Sequence, residues 1–94
     1  MNLHNVKSFE LAGIAYPVKY VKEVDNDPTL AGMSYLHQHR VEILDNMEAD
    51  IAGQAFCHEL VHCILSTMNI DKGSDEAFVD VFGTFLHHAL KTIK

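Results

Sequence analysis

The stretch from 45 to 68, DNMEADIAGQAFCHELVHCILSTM, decides the fold, because the spacing of its apolar residues differs from that of the sequence before it. It contains no proline and a single glycine, and its apolar residues fall on more than one side of a helix. A helix that is apolar on several sides is buried in a core. Asp45 followed by Glu48 matches a capping box, a helix-start signal. We therefore expect a buried helix from Asp45 to about Met68.

A second helix is predicted after a loop at 69–73. Ser74 is a favourable N-cap residue, and Asp75 and Glu76 place carboxylates in the first turn, where the helix dipole favours anions. This helix is expected to run from 74 to about 90, with Lys91 and Lys94 at its C-terminal end. Because the connection is short, the two helices should form an antiparallel hairpin.

The first half of the chain has the patterns of strands and turns. Residues 40–44 alternate, with Val41 and Ile43 on one side and Glu42 on the other, which is typical of a half-buried strand. Pro17 suits the first position of a strand or an edge strand. The predicted strands are 6–11, 16–24, 32–36 and 40–44, with a turn at 25–28 and a hairpin loop at 37–39. The expected class is α+β: one domain over 1–94, with a small N-terminal sheet of three to four strands followed by two helices.

Composition narrows the classes of partner and compartment. The chain is 48% hydrophobic, which is enough for one modest core, and its net charge of -6 argues against nucleic acid and anionic membrane as partners. No window has the roughly 18 apolar residues of a membrane span, and no signal peptide is visible at the N-terminus. Cys57 and Cys63 lie in one predicted helix, where reduced, buried thiols are expected. Reduced thiols favour a cytoplasmic location.

The predicted first helix contains the sequence His58-Glu59-Leu60-Val61-His62, an HExxH motif. Residues i and i+4 lie on the same face of a helix, so the His58 and His62 imidazoles can bind one zinc ion at roughly 2.0–2.1 Å. Glu59 lies beside that face and can accept a proton from water activated by the metal. The motif predicts a zinc site with Glu59 as general base.

A catalytic zinc site with two histidines needs a third protein ligand. Candidates on the second helix are Glu76, Asp80, His87 and His88. Glu76 and Asp80 are i and i+4, and one of them can bind the metal while the other fixes a ligating imidazole through its second nitrogen. Helix geometry leaves both carboxylates as candidates for the metal, because Asp80 lies one turn further along the helix and nearer the level of His62.

These segments resemble the gluzincins, which are zinc metallopeptidases with HExxH on one helix and a glutamate, followed four residues later by an acid, on the next. The matching runs are 58–62, HELVH, and 75–80, DEAFVD. The whole chain is most similar to the minigluzincins and to short zincin-like proteins encoded by phages and mobile elements.

The resemblance implies that Glu76 is the third zinc ligand and that Asp80 supports a ligating histidine. It also implies that the hairpin edge before the active-site helix lines the cleft and pairs with an extended peptide. Two features depart from the large gluzincins. The gap from His62 to Glu76 is too short for an inserted helical subdomain, and no Tyr or His matches the residue that usually stabilises the oxyanion there.

Three other histidines are candidates for the cleft. His37 and His39 lie in the hairpin loop and reach the cleft if the hairpin forms its rim, but they are also consistent with exposed loop residues. His87 could line the site as a transition-state donor or lie at the surface.

Two functional hypotheses follow. The first is a zinc-dependent metallopeptidase-like hydrolase of a protein or peptide, in which Glu59 activates water and protonates the leaving amine. The second is a zincin-fold binding or inhibitor protein with a structural or vestigial zinc site, because a fold does not determine a function. The sequence specifies neither the substrate nor the oligomeric state.

Overall fold

The structure, a computed structural model, describes residues 2–94 apart from the side chains at 73 and 74. It is an α+β arrangement in which a four-stranded sheet is followed by two helices. The strands are β1 (Ser8–Leu11), β2 (Ile14–Val21), β3 (Gly32–Tyr35) and β4 (Arg40–Leu44). Their order in the sheet is β1-β2-β4-β3, with β2 and β4 parallel and the other two pairs antiparallel. This order leaves β3 at an edge.

The strands β1 and β2 form a hairpin, and their bounds differ from the predicted 6–11 and 16–24. The turn between the strands uses Ala12 and Gly13, both with positive φ (51° and 79°), which lets β2 begin at Ile14. Positive φ at both central residues suits the right-handed twist of paired strands. Pro17 is therefore inside β2, and β2 is an interior strand, contrary to the prediction of a first or edge position. Pairing with β4 begins only at Val18, so no β4 partner faces the missing N–H of Pro17.

The predicted turn at 25–28 and the predicted β3–β4 hairpin are both present. Asp25 and Asn26 have positive φ, and the Asp27 carboxylate accepts a bond from the backbone N–H of Thr29 at 2.9 Å. In the hairpin loop, a 3-10 turn at Leu36–Gln38 ends at His39 in the left-handed conformation. These local bonds explain why short-range sequence signals located both turns.

Helix α1 (Ala49–Thr67) begins later than predicted. Asn46 has a φ of 66°, which a helix cannot accommodate, and the backbone N–H of Asp45 is bonded to the Val21 carbonyl at 2.7 Å. The N-cap residue is Glu48, which makes no side-chain capping bond, so the capping box expected from Asp45 and Glu48 is not formed. The prediction of a helix start at Asp45 was wrong because the end of β4 holds that segment against β2.

Helix α2 (Glu76–Thr92) follows a 3-10 turn at Asp71–Ser74. Its N-cap is Asp75, whose carboxylate accepts a bond from the Phe78 N–H at 3.1 Å, so the predicted start at Ser74 was early. The Ser74 side chain, expected to cap this helix, lies outside the described part of the chain. At the other end, Lys91 bonds to Asp50 on α1 at 2.9 Å, which joins the two helices there.

The core lies between one face of the sheet and α1. Val41 and Ile43 of β4 are fully buried, as their alternation with Glu42 predicted, and Phe56 packs against them from α1. Cys57 and Cys63 are free, buried thiols, and burial raises the pKa of each to about 11. The buried residues of α1 lie on several sides, as expected.

Gly83 sets the separation of the two helices. A Cβ at this position would lie 3.1 Å from the Cα and 3.2 Å from the backbone nitrogen of His58. A smaller apolar cluster of Val61, Leu65 and Val79 also lies between the two helices. The missing side chain therefore brings α2 against the backbone of α1 at a histidine of the HExxH motif.

The outward face of α2 carries apolar side chains that do not contribute to the core. Phe78, Val81, Phe82 and Phe85 are all exposed, and the Lys72 ammonium lies 5.9 Å from the Phe78 ring centre. Despite this apolar surface, none of the described helices has the length and hydropathy needed to cross a membrane.

Candidate metal centre

Three side chains from the two helices converge on one point. The Nε2 atom of His58 lies 3.0 Å from Oε2 of Glu76, and the Nε2 atom of His62 lies 2.9 Å from Oε1 of the same carboxylate. The imidazole rings are 5.0 Å apart between centroids. Within the described residues this is the group of His, Cys, Asp and Glu side chains that could hold a metal ion, with its donor atoms within 4.8 Å of one another.

The spacing of the donor atoms is compatible with a metal ion such as zinc. Tetrahedral coordination with bonds of about 2.05 Å places neighbouring ligand atoms about 3.3 Å apart. The observed nitrogen–oxygen separations of 2.9 and 3.0 Å need only small adjustments to reach that value. Two imidazoles and one carboxylate are also a known ligand set of catalytic zinc sites. The residues present could therefore hold zinc.

Asp80 lies on the other side of the His58 ring. Its Oδ1 atom is 3.5 Å from the Nδ1 atom of His58, whereas Glu76 faces the Nε2 atom. A carboxylate at the second nitrogen of a ligating histidine fixes the tautomer and orientation of the ring. The geometry thus gives the two acids different positions, with Glu76 at the convergence point and Asp80 behind it.

The helix connection explains why Glu76, rather than Asp80, lies at the point where the two histidines converge. After α1, Asn69 takes a left-handed conformation and the Ile70 N–H bonds back to the Leu65 carbonyl at 2.9 Å. The 3-10 turn at Asp71–Ser74 then returns the chain along α1 before α2 begins. The first residue of α2 is consequently already level with the motif.

Glu59 lies between the histidine pair and the edge strand, and only 7% of its surface is exposed. Burial is the largest influence and raises the pKa of its carboxyl above the ordinary value. A hydrogen bond from Ser34 and the nearby His58 and His62 act in the opposite direction. The side chain is thus a largely desolvated carboxyl beside the convergence point, an environment that suits proton transfer.

Two residues of β3 contact Glu59 directly. The Ser34 hydroxyl lies 2.8 Å from Oε1 of Glu59 and 3.0 Å from its backbone carbonyl oxygen. Gly32, two residues earlier on the same strand face, leaves room for the side chain, because a Cβ there would lie 3.1 Å from Cγ of Glu59. The edge strand therefore packs against the proposed base.

An open cleft of about 790 Å³ lies in front of these residues. Its lining combines apolar side chains, among them Leu30, Leu36, Ile51 and Ala55, with the convergent polar groups. This combination is characteristic of ligand-binding clefts. The lining residues are Thr29, Leu30, Ala31, Gly32, Met33, Ser34, Leu36, Ile51, Gln54, Ala55, His58, Glu59, His62, Glu76 and Asp80.

The free edge of β3 borders the cleft with its own backbone. The Ala31 carbonyl accepts a bond from the Leu44 N–H at 2.8 Å. The backbone N–H and C=O groups of every second residue from Ala31 therefore point towards β4. Backbone groups alternate between the two sides of an antiparallel strand, and those of Gly32 and Ser34 therefore point to the open edge. These backbone groups therefore lie at an edge of the sheet that pairs with no other described strand.

Comparison of the chain with family models, curated proteins and solved structures finds no match. The interpretation of the site therefore depends on its geometry and on the resemblance of residues 58–62 and 75–80 to the gluzincin pattern.

The three additional histidines do not line the cleft. The His39 ring packs edge-on against Tyr16 with centroids 5.4 Å apart, and His37 lies in the exposed 3-10 turn. His87 is buried, unlike the surface residue considered as its alternative, and it lies 3.0 Å from Oε1 of Gln54 through Nδ1. A Cβ at Gly53 would lie 2.8 Å from its Nε2 atom, so that glycine makes room for the ring.

Ser34 and Gln54 are the cleft residues that sequence reasoning missed. Gln54 precedes His58 by one helical turn and was identifiable as sharing its face. Its amide donates to Thr84 Oγ1 at 2.8 Å, which links the cleft to α2. Ser34 had only a weak signal, its alternation with Gly32 on a predicted edge strand, since the contact with Glu59 joins positions 25 residues apart.

Proposed function

We propose that the protein is a zinc-dependent, metallopeptidase-like hydrolase. The observation that supports this most directly is the convergence of both HExxH histidines on one Glu76 carboxylate, at a cleft that Glu59 also lines. His58, His62 and Glu76 would hold the metal, which supplies Lewis acidity and an activated water at neutral pH. Asp80 orients the His58 ring through Nδ1.

Glu59 acts as the general base and acid of the proposed reaction. Its carboxylate accepts a proton from the attacking water and later delivers that proton to the leaving amine. Low exposure keeps bulk water away from the carboxylate, and the raised pKa brings the group closer to the range where it can both accept and release a proton. This role needs Glu59 beside the ligands and also free of direct metal contact.

A protein or peptide in extended conformation is the substrate class that the cleft favours. The backbone groups of Gly32 and Ser34 provide hydrogen-bond partners for a peptide strand, and the apolar residues that line the cleft can receive its side chains. The net charge of -6 disfavours nucleic acid.

Replacing Glu59 by glutamine tests this proposal. Glu59→Gln should keep the fold and one equivalent of zinc, measured by mass spectrometry, while any hydrolysis of a peptide library is lost, because an amide cannot accept the proton. Glu10→Gln on β1, at the opposite edge of the sheet, removes the same charge and should change nothing. Hydrolysis that survives Glu59→Gln would contradict the assigned base.

A binding or inhibitor protein with a zinc site is the second candidate, and one observation favours it. Ser34, a polar cleft residue outside the proposed metal centre, already donates its single hydroxyl hydrogen to Glu59. That hydroxyl is therefore not free to stabilise an oxyanion. Zinc-loaded wild-type protein that hydrolyses no member of a broad peptide library, yet binds some of them, would support this candidate.

A further inference from the structure

We infer that Ser34 is a positioning residue for Glu59, which deepens the proposed function and rests on it. Ser34 brings two kinds of group to the cleft: backbone groups at the free edge of β3 and a hydroxyl at the Glu59 carboxylate. Through this residue, the strand that would bind the peptide also holds the base.

The hydroxyl of Ser34 selects one oxygen of the base. It has a single hydrogen, and the charged carboxylate at 2.8 Å is a stronger acceptor than the backbone carbonyl at 3.0 Å or the sulfur of Cys63, its third partner. A bond to Oε1 fixes the rotation of the carboxylate and leaves Oε2 for proton transfer. Without that bond, the terminal torsion of a glutamate is broad and defines no single orientation.

Gly32 makes room for the same side chain on the neighbouring inward position of β3. A Cβ there would lie 3.1 Å from Cγ of Glu59 and 3.1 Å from Cδ1 of Ile43. Because Gly32 has no side chain, the Glu59 methylene has room at this position, whereas an alanine there would force it to shift. The two residues therefore position Glu59 together: Gly32 leaves space for its methylene groups, and Ser34 binds its carboxylate.

The test compares zinc-loaded wild type with Ser34→Ala and Ser34→Thr in two measurements. Crystal structures report the Glu59 carboxylate, which should keep its position in wild type and Ser34→Thr and lose its single orientation in Ser34→Ala. Peptide hydrolysis should show kcat about 10–100-fold lower in Ser34→Ala with KM unchanged, since a misplacement of about 1 Å can cost 10²-fold in rate. Zinc content should be equal, because Ser34 contacts none of the three ligands.

Two further variants keep the result interpretable. Gly32→Ala places a methyl group against Cγ of Glu59 and should also lower kcat. Thr67→Val removes a hydroxyl that donates to the Cys63 carbonyl on the same helix, outside the cleft, and should leave kcat unchanged. If Ser34→Ala fails to fold, Gly32→Ala replaces it in both measurements.

The inference is overturned if Glu59 stays in place in Ser34→Ala, or if it moves and kcat does not change. If the wild type hydrolyses nothing, the proposed function fails, and the crystal structures alone then decide whether Ser34 orients Glu59.

Discussion

A single residue, Glu76, connects the proposed metal centre across the two helices. Both of its carboxylate oxygens are used, one toward each histidine, although its side chain is 69% exposed. Two imidazoles near three carboxylates, those of Glu59, Glu76 and Asp80, form a site whose negative charge a divalent cation would offset. The exposure of Glu76 toward the cleft leaves room for a metal with an open coordination position.

The two acids of α2 should therefore differ in their effect on zinc affinity. We expect Glu76→Ala to remove most of the affinity, because a ligand is lost. Asp80→Ala should weaken it by about 10–100-fold, the usual cost of losing a group that orients a ligand. Competition with a chelating dye measures both, and Glu10→Ala serves as the control for charge removal. A larger loss of zinc affinity in Asp80→Ala than in Glu76→Ala would show that Asp80 is the ligand and Glu76 the supporting residue.

At the scale of elements, the sequence predicted what depends on local signals. The β3–β4 hairpin, the turn at 25–28 and the two helices follow from alternation, turn residues and periodicity within short windows. The HExxH pair also needed only helical spacing. The start of α1 was wrong, because Asn46 adopts a positive φ and the Asp45 N–H is bonded to a residue of β2.

Features that depend on contacts between residues far apart in the sequence could not be predicted from such local signals. The parallel alignment of β2 with β4 joins Val18 with Val41, and nothing in either strand specifies that partner. The Ser34–Glu59 bond depends on this sheet order, which places β3 at the edge beside α1. The position of His87 on Gln54 likewise arises from the packing of α2 on α1.

Because the helices approach closely at Gly83, we expect replacement of this glycine by alanine to change the free energy of unfolding in the direction opposite to the usual one. Replacing a helical glycine by alanine ordinarily stabilises by about 0.5–1 kcal/mol. Gly83→Ala should instead destabilise by about 1–3 kcal/mol, because the new Cβ meets the His58 backbone and the helices must separate. It should also weaken zinc binding, since Glu76 and Asp80 move with α2.

Denaturant titration and zinc titration check this pair of effects. Ala89→Gly, at an exposed position on the same helix, should cost about 1 kcal/mol without changing zinc affinity. Increased stability in Gly83→Ala would show that the contact of Gly83 with the His58 backbone does not set the distance between the helices.

For the whole molecule, bound zinc should stabilise the folded state. A chain of 94 residues has a modest core, and a metal that binds only the folded state stabilises by about 2.7 kcal/mol when its free concentration is 100 times Kd. Each kcal/mol shifts Tm by about 4–8 °C in a domain of this size. We expect chelation to lower Tm on the order of 10–20 °C in wild type and to have little effect in His62→Ala. Equal Tm with and without zinc in wild type would contradict a bound metal.

The position of the metal ligands along the chain has a consequence for the order of assembly. His58 and Glu76 are separated by 18 residues, and closing a loop of that length costs about 2.6 kcal/mol plus a constant. The ligands all lie on the helical hairpin, so they can meet before the strands find their partners. Zinc present during refolding should then increase the folding rate in stopped-flow experiments, whereas a metal captured only by the finished fold would slow unfolding alone.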